Sequence, residues 1–83
     1  MKRIILLKNQ NTKIKIRQEY IEVYTPQNSF VVAKKFIKAF YINKLAKISI
    51  TVAIELAQIA PLYFIDQNGY IKAQLIEPQN ETL

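Results

Sequence analysis

The sequence predicts a small α+β domain, and three features carry this prediction. Residues 13–24 alternate between polar and apolar side chains, as half-buried strands do. Residues 49–58 are apolar at helical spacing, and residues 66–69, Asp-Gln-Asn-Gly, are the residue types of a type I turn. We therefore predict a β-meander of about four strands, a further short strand, one buried helix and a C-terminal β-hairpin.

Four short β-prone runs, joined by polar connections, form the predicted meander. Residues 3–7 are the first run, and residues 13–17 alternate strictly, which directs Ile14 and Ile16 inward. Because the loops are short, we expect a meander in which the strands follow one another in chain order. The third and fourth runs, separated by a Pro-containing turn, are residues 20–24 and 30–32.

Residues 33–47 fit two different structures. Phe36, Ala39 and Phe40 would share one face of a helix. The same segment also fits one turn over residues 34–37, followed by a strand over residues 39–42. Periodicity does not decide between the two.

The helix and the hairpin that follow have clear boundaries. Ser49 is the predicted N-cap of a helix that continues to about Gln58, and its mostly apolar surface indicates protein on most sides. Pro61 ends this helix, since proline cannot continue it. Residues 62–65 are almost wholly apolar, which is typical of a strand buried on both faces, and residues 70–75 return as its partner.

Length and composition indicate a single domain. We expect it to span residues 1–76, with a flexible tail at residues 77–83. The hydrophobic fraction of 51% is high for 83 residues and favours self-association, so a homodimer is expected. No run approaches the about 20 apolar residues of a membrane span, and no signal peptide is evident. We expect a soluble, cytoplasmic protein with no membrane partner.

The residue types argue against catalysis. The chain has no histidine and no cysteine, and its six carboxylates show no metal-ligand spacing. Its single glycine excludes a glycine-rich phosphate loop. We therefore expect no catalytic residue, no metal and no cofactor.

Positive charge is concentrated in the first half of the chain. Residues 1–47 hold eleven Lys or Arg against two Glu, a net charge of +9, and residues 48–83 have a net charge of −3. Lys13, Lys15 and Arg17, here called the basic row, would lie about 6.5 Å apart on one strand face, close to the spacing of successive phosphates. We predict that the basic row contacts nucleic acid. The alternatives are a solvated strand face that keeps the protein soluble, and an edge strand whose lysines prevent aggregation.

Two further groups are candidates for binding. Tyr20 and Tyr24 share a strand face with Glu22, where they suit a protein interface or could stack on the bases of a frayed end. A second basic group is predicted to contact nucleic acid, with solvent-facing lysines as the alternative. It consists of Lys34, Lys35 and Lys38, with Lys44 and Lys47 further along the chain.

The order of these parts resembles the N-terminal β-domain of the CRISPR-associated spacer integrase, the metal-dependent endonuclease of CRISPR adaptation. In that domain a turn and a strand precede a helix that begins near an Ile-Thr/Ser pair, and an apolar strand ending in Asp leads into a turn with Gly. The matching parts here are residues 30–42, 49–59 and 62–69. Two glycines common in the family are missing, with Ala60-Pro61 and residues 43–47 in their places.

The resemblance implies a β-domain without its catalytic partner. In the family a second, helical domain binds a divalent metal through Glu, His and Asp, whereas the β-domain mediates dimerisation and offers a surface to duplex DNA. We therefore expect a non-catalytic module of spacer acquisition, in contact with other CRISPR adaptation proteins. The alternatives are an interaction module or inhibitor, which pairs with itself or with a full-length integrase without binding nucleic acid, and a small RNA-binding β-protein. A metal-dependent nuclease is the least favoured.

Overall fold

The computed structural model describes residues 1–75, and the tail predicted at residues 77–83 lies outside them. In the described part the α+β class is confirmed. Its strands are β1 (Arg3–Leu7), β2 (Lys13–Ile16), β3 (Tyr20–Tyr24), β4 (Ser29–Ala33), β5 (Ile37–Asn43), β6 (Leu62–Ile65) and β7 (Ile71–Leu75). One helix, α1, spans Ile50–Ala57, and two short 3-10 turns span Lys34–Phe36 and Lys44–Ala46.

The strands form two sheets around one hydrophobic core. The first sheet has three antiparallel strands in the order β2-β3-β4. The second has four strands in the order β1-β5-β6-β7, with β1, β5 and β6 parallel and β7 antiparallel. Both sheets and α1 contribute to a single buried cluster, in which Ile21, Phe40 and Leu56 are completely covered.

The structure corrects one detail of the predicted meander. β1 is not part of it, because it lies parallel to β5, with Ile5 beside Phe40 and Leu7 beside Ile42. The reason is visible in the run itself, which is apolar from Ile4 to Leu7 without alternation, as parallel strands usually are. Pairing with β5 buries Ile5 and Leu7 in the shared core. The meander therefore has three strands.

Between residues 33 and 47 the chain forms a turn and a strand, the second of the two predicted alternatives. The turn is the 3-10 segment Lys34–Phe36, in which the Phe36 side chain stays exposed. The strand β5 has buried residues on both of its faces, including Ala39 and Phe40. A helix would have placed only one face of this segment against the core, so burial of both faces favours the strand.

Helix α1 begins where the sequence predicts. The Ser49 hydroxyl accepts a hydrogen bond from the Val52 backbone N–H at 3.2 Å, as an N-cap does. The expectation that protein covers most sides of α1 is wrong for a single copy of the chain. Ala53 and Leu56 are buried, but Ile50 and Ile54 are 69% and 48% exposed.

The hairpin between β6 and β7 also forms where it was predicted. The Gly69 N–H donates to the Asp66 carbonyl at 3.0 Å, which closes the turn, and Gly69 has a φ of +88° that suits glycine. The preceding strand β6 is less buried than expected, because Leu62 is covered whereas Tyr63 and Ile65 are only half-buried. One face of the four-stranded sheet is therefore open.

Candidate nucleic-acid interface

The basic row lies along an outer edge of the three-stranded sheet. β2 directs Ile14 and Ile16 towards the core and leaves the side chains of the basic row exposed, as the alternation predicts. β2 is an outer strand of this sheet, with β3 as its strand neighbour, and residues 47–49 and Val52 line a cleft beside it. The side chains of the row are thus exposed on an outer strand.

One acidic side chain joins this row. In the antiparallel pairing of β2 with β3, Glu22 lies directly opposite Lys15. The Arg17 Nε donates to Glu22 Oε2 at 2.8 Å, and the Tyr24 hydroxyl donates to Glu22 Oε1. These two hydrogen bonds, the bond from Tyr24 first, hold the pKa of Glu22 below its usual value, so the carboxylate is charged at neutral pH.

The two tyrosines of β3 flank Glu22 and are both exposed. Lys15 Nζ lies 5.6 Å from the centre of the Tyr24 ring, within the range of a cation–π contact. Hydrogen bonding to Glu22 also raises the pKa of Tyr24. Tyr24 is therefore held by its neighbours on the sheet, whereas the structure gives Tyr20 no comparable contact among the described residues.

The structure divides the second basic group. Lys34 and Lys35 lie in the 3-10 turn, whose first backbone N–H donates to the Glu19 carbonyl at 2.9 Å and so joins the turn to the start of β3. These two lysines line a cleft between Ile16 and the C-terminal end of α1, where Glu55 also contributes. Lys38 lies instead on β5, at the irregularity in its pairing with β1. Lys34 and Lys35 thus lie near Ile16 at the end of β2, and Lys38 does not line this cleft.

A further lysine joins the basic row at the other end of α1. Lys47 lines a shallow cleft together with Lys13 and Lys15, beside the N-cap Ser49. Its backbone is left-handed, with a φ of +54°, which reverses the chain before the helix begins. The sequence places Lys47 beside Lys44 by position alone, because no local pattern shows that Lys47 and β2, more than thirty positions apart, line one cleft.

The contact between Arg17 and Glu22 also escaped the sequence analysis, although a signal for it was present. Two alternating strands joined by the tight connection at Gln18 and Glu19 form a hairpin, in which Arg17 N–H donates to the Tyr20 carbonyl at 2.9 Å. In such a hairpin Glu22 must lie on the same face as the basic row. Extending the alternation across the turn would have predicted the contact.

The open side of the four-stranded sheet is called here the apolar outer face. On the three parallel strands, the side chains that alternate with those facing the core are uncharged. They are Ile4, Leu6, Ala39, Tyr41, Asn43, Tyr63 and Ile65, of which Ala39 and Asn43 are themselves buried. Ile4 and Leu6 are 51% and 49% exposed, and the rings of Tyr41 and Tyr63 meet edge to face at 5.3 Å. Parallel strands are normally covered on both sides, so this face is unusual in a single copy.

Within residues 1–75 no group of three or more His, Cys, Asp or Glu side chains lies close enough to hold a metal ion. The helix of this part of the chain has eight residues, too few to cross a bilayer.

A CAS1 protein from Thermotoga maritima matches this structure with a TM-score of 0.71, over 96% of this chain and at 14% sequence identity. The chain has a Cas1-like fold. A casposase bound to integration product matches with a TM-score of 0.57, over 95% of this chain and also at 14% identity. Neither the protein-family models nor the curated protein sequences contain a match.

The Cas1-like fold covers only part of each matched protein. This chain spans 26% of the Cas1 chain and 26% of the casposase chain, about a quarter of either. At this level of identity the likeness shows the fold.

Proposed function

We propose that the chain is a non-catalytic dimerisation and duplex-DNA-binding module, corresponding to the N-terminal β-domain of a CRISPR spacer integrase. The match to a Cas1 protein over 96% of the chain carries this proposal. The casposase adds support, because that protein was solved bound to an integration product. In this proposal the module acts in spacer acquisition, a step of antiviral defence, with other CRISPR adaptation proteins as partners.

The DNA-binding surface of the proposal follows β2 and the adjacent helix. The basic row supplies three cations, Lys47 adds one at one end of α1, and Lys34 and Lys35 add two at the other end. Cations spaced along an edge strand suit the phosphates of a duplex and read no base sequence. Binding should therefore be independent of sequence and should weaken steeply with salt.

Reversal of the basic row tests this surface. The variant Lys13→Glu, Lys15→Glu, Arg17→Glu is expected to lose measurable binding to a labelled DNA duplex, because three phosphate contacts become repulsive. Fluorescence anisotropy at several salt concentrations measures the affinity. For the unmodified chain we expect a log–log slope of about −3 to −5. Circular dichroism checks that the variant remains folded.

The matched control reverses two lysines and one arginine that are exposed and lie outside both basic groups, Lys2, Arg3 and Lys8. It changes the net charge of the chain by the same amount, so a loss confined to the first variant assigns the contact to the basic row. Equal losses in both variants would show only a response to net charge. No binding by the unmodified chain, even at low salt, would favour an interaction module or inhibitor, and a preference for single-stranded RNA would favour the RNA-binding alternative.

The dimerisation part of the proposal rests on the apolar outer face. A chain with a net charge of +6 repels its own copies, and this face is a surface on which two copies can meet without bringing charged side chains together. Burial of Ile4, Leu6 and the two tyrosine rings would supply the driving force. The non-catalytic part rests on residue types, because the chain has no histidine and no cysteine.

A further inference from the structure

Glu22 is the acidic residue that faces the basic row. Because β2 and β3 are antiparallel, it projects from the same side of the sheet as Lys15 and lies opposite it. On its other side the register places Val31 of β4, which is uncharged. Among the residues of β2, β3 and β4 that share this side of the sheet, Glu22 is therefore the one carboxylate.

The contacts of Glu22 are those that a phosphate would make. One oxygen accepts from Arg17 Nε at 2.8 Å, and the other accepts from the Tyr24 hydroxyl. Arg and Tyr donors of this kind also hold the oxygens of a nucleic-acid backbone. The Arg17 side chain is about half exposed, so a phosphate can approach it from solvent. Carboxylate and phosphate then compete for the same donors.

We propose that Glu22 is an internal competitor of phosphate at the basic row, which lowers the affinity of this surface for polyanions by occupying Arg17, while the Tyr24 hydroxyl holds the carboxylate in place. This inference deepens the proposed function and rests on it for the identity of the polyanion. Polyanion binding displaces the carboxylate from Arg17, and polyanion release restores the contact. Arg17 is thus available only to a ligand with enough phosphates to displace the Glu22 carboxylate.

The variant Glu22→Gln tests the inference. Glutamine keeps the size of the side chain and an acceptor for Tyr24, but it removes the charge that holds Arg17. We expect duplex affinity to rise about fivefold and the log–log salt slope to steepen by about 0.9, the value for one additional phosphate contact. The matched control is Glu19→Gln, which removes the same charge from an exposed side chain that has no ion pair within residues 1–75. We expect the control to change affinity less than twofold.

Two further measurements separate this inference from the proposed function. In an Arg17→Ala background, Glu22→Gln should raise duplex affinity no more than Glu19→Gln does, because the competition acts through Arg17. Elution from heparin, a sulfated polysaccharide, reports the competition without DNA, and Glu22→Gln should elute at higher salt than Glu19→Gln.

Each outcome has one meaning. A heparin shift specific to Glu22→Gln, without duplex binding by any variant, would support the competition and overturn the DNA-binding proposal. Duplex binding that is equal in the Glu22→Gln and Glu19→Gln variants would overturn the competition and leave the proposed function standing. A gain in duplex affinity from Glu22→Gln that persists in the Arg17→Ala background would also overturn the competition.

Discussion

The Asp66 side chain holds the last hairpin of the described chain together. Its Oδ1 accepts from the backbone N–H groups of Asn68 and Tyr70, both at 2.9 Å, and its Oδ2 lies 3.8 Å from Lys72 Nζ. The bond from Tyr70 is the main reason that the pKa of Asp66 falls below its ordinary value of 3.8, with contributions from Asn68 and Lys72. The charged carboxylate therefore stabilises the folded hairpin.

The lowered pKa of Asp66 predicts a loss of stability in acid. A carboxyl group whose folded-state pKa is depressed stabilises the fold above its unfolded pKa of 3.8, and this contribution disappears as the pH falls through the lower folded value. We expect Asp66→Asn to melt below the unmodified chain at pH 7, and the difference to shrink below about pH 4. Thermal melts by circular dichroism at pH 7, 5, 4 and 3 measure it.

The control for this pH dependence is Glu55→Gln, an exposed acid without an ion pair among residues 1–75. A difference between the Asp66→Asn and unmodified melting temperatures that stays constant from pH 7 to pH 3 would contradict the role given to the Asp66 charge.

At the scale of elements, α1 is attached to the core by one face only. Leu56 is completely buried, and Ala53 and Ala57 lie beside it on the same face. The connection from β5 through α1 to β6 joins two parallel strands, and such a connection needs a crossover segment of this kind. Helix α1 thus both allows β5 and β6 to pair in parallel and contributes side chains to the core.

This attachment predicts unequal effects of two substitutions on one helix. Leu56→Ala removes a fully buried side chain and should lower the free energy of unfolding by about 2–5 kcal/mol. Ile54→Ala, on the exposed side, should cost less than about 1 kcal/mol. Urea denaturation followed by circular dichroism gives both values. Losses of similar size would mean that Ile54 is covered in solution, and would contradict the single-faced attachment.

At the scale of the whole molecule, the apolar outer face predicts the oligomeric state. Light scattering at micromolar concentration should return twice the mass of the chain. Leu6→Lys places a charge on the β1 side of this face. It should give a monomer, because burying an ammonium group between two apolar surfaces without a partner is costly.

The matched control for the dimer is Val31→Lys, which introduces the same charge at an exposed apolar residue on the other sheet. It should leave the mass unchanged. A monomeric unmodified chain, or equal dissociation by both variants, would show that the outer face is not the dimer surface.

The sequence by itself determined the features that depend on near neighbours. The alternation of β2 and β3, the N-cap at Ser49 and the turn from Asp66 to Gly69 all rest on contacts within a few residues, so their residue types were sufficient to predict them. The accessibility of the basic row follows from the same alternation.

Only the tertiary structure decided how these elements combine. The pairing of β1 with β5 joins segments about thirty-five positions apart, and Lys47 lines a cleft with Lys13 only because the fold brings the start of α1 beside β2. The sequence pattern could not predict the exposure of Ile54 and of the apolar outer face either. An apolar residue has the same local pattern whether or not another layer covers it. Long-range packing determines which strands pair and which apolar residues are exposed. The burial of apolar surface depends on the complete arrangement of the chain and not on the order of neighbouring residues.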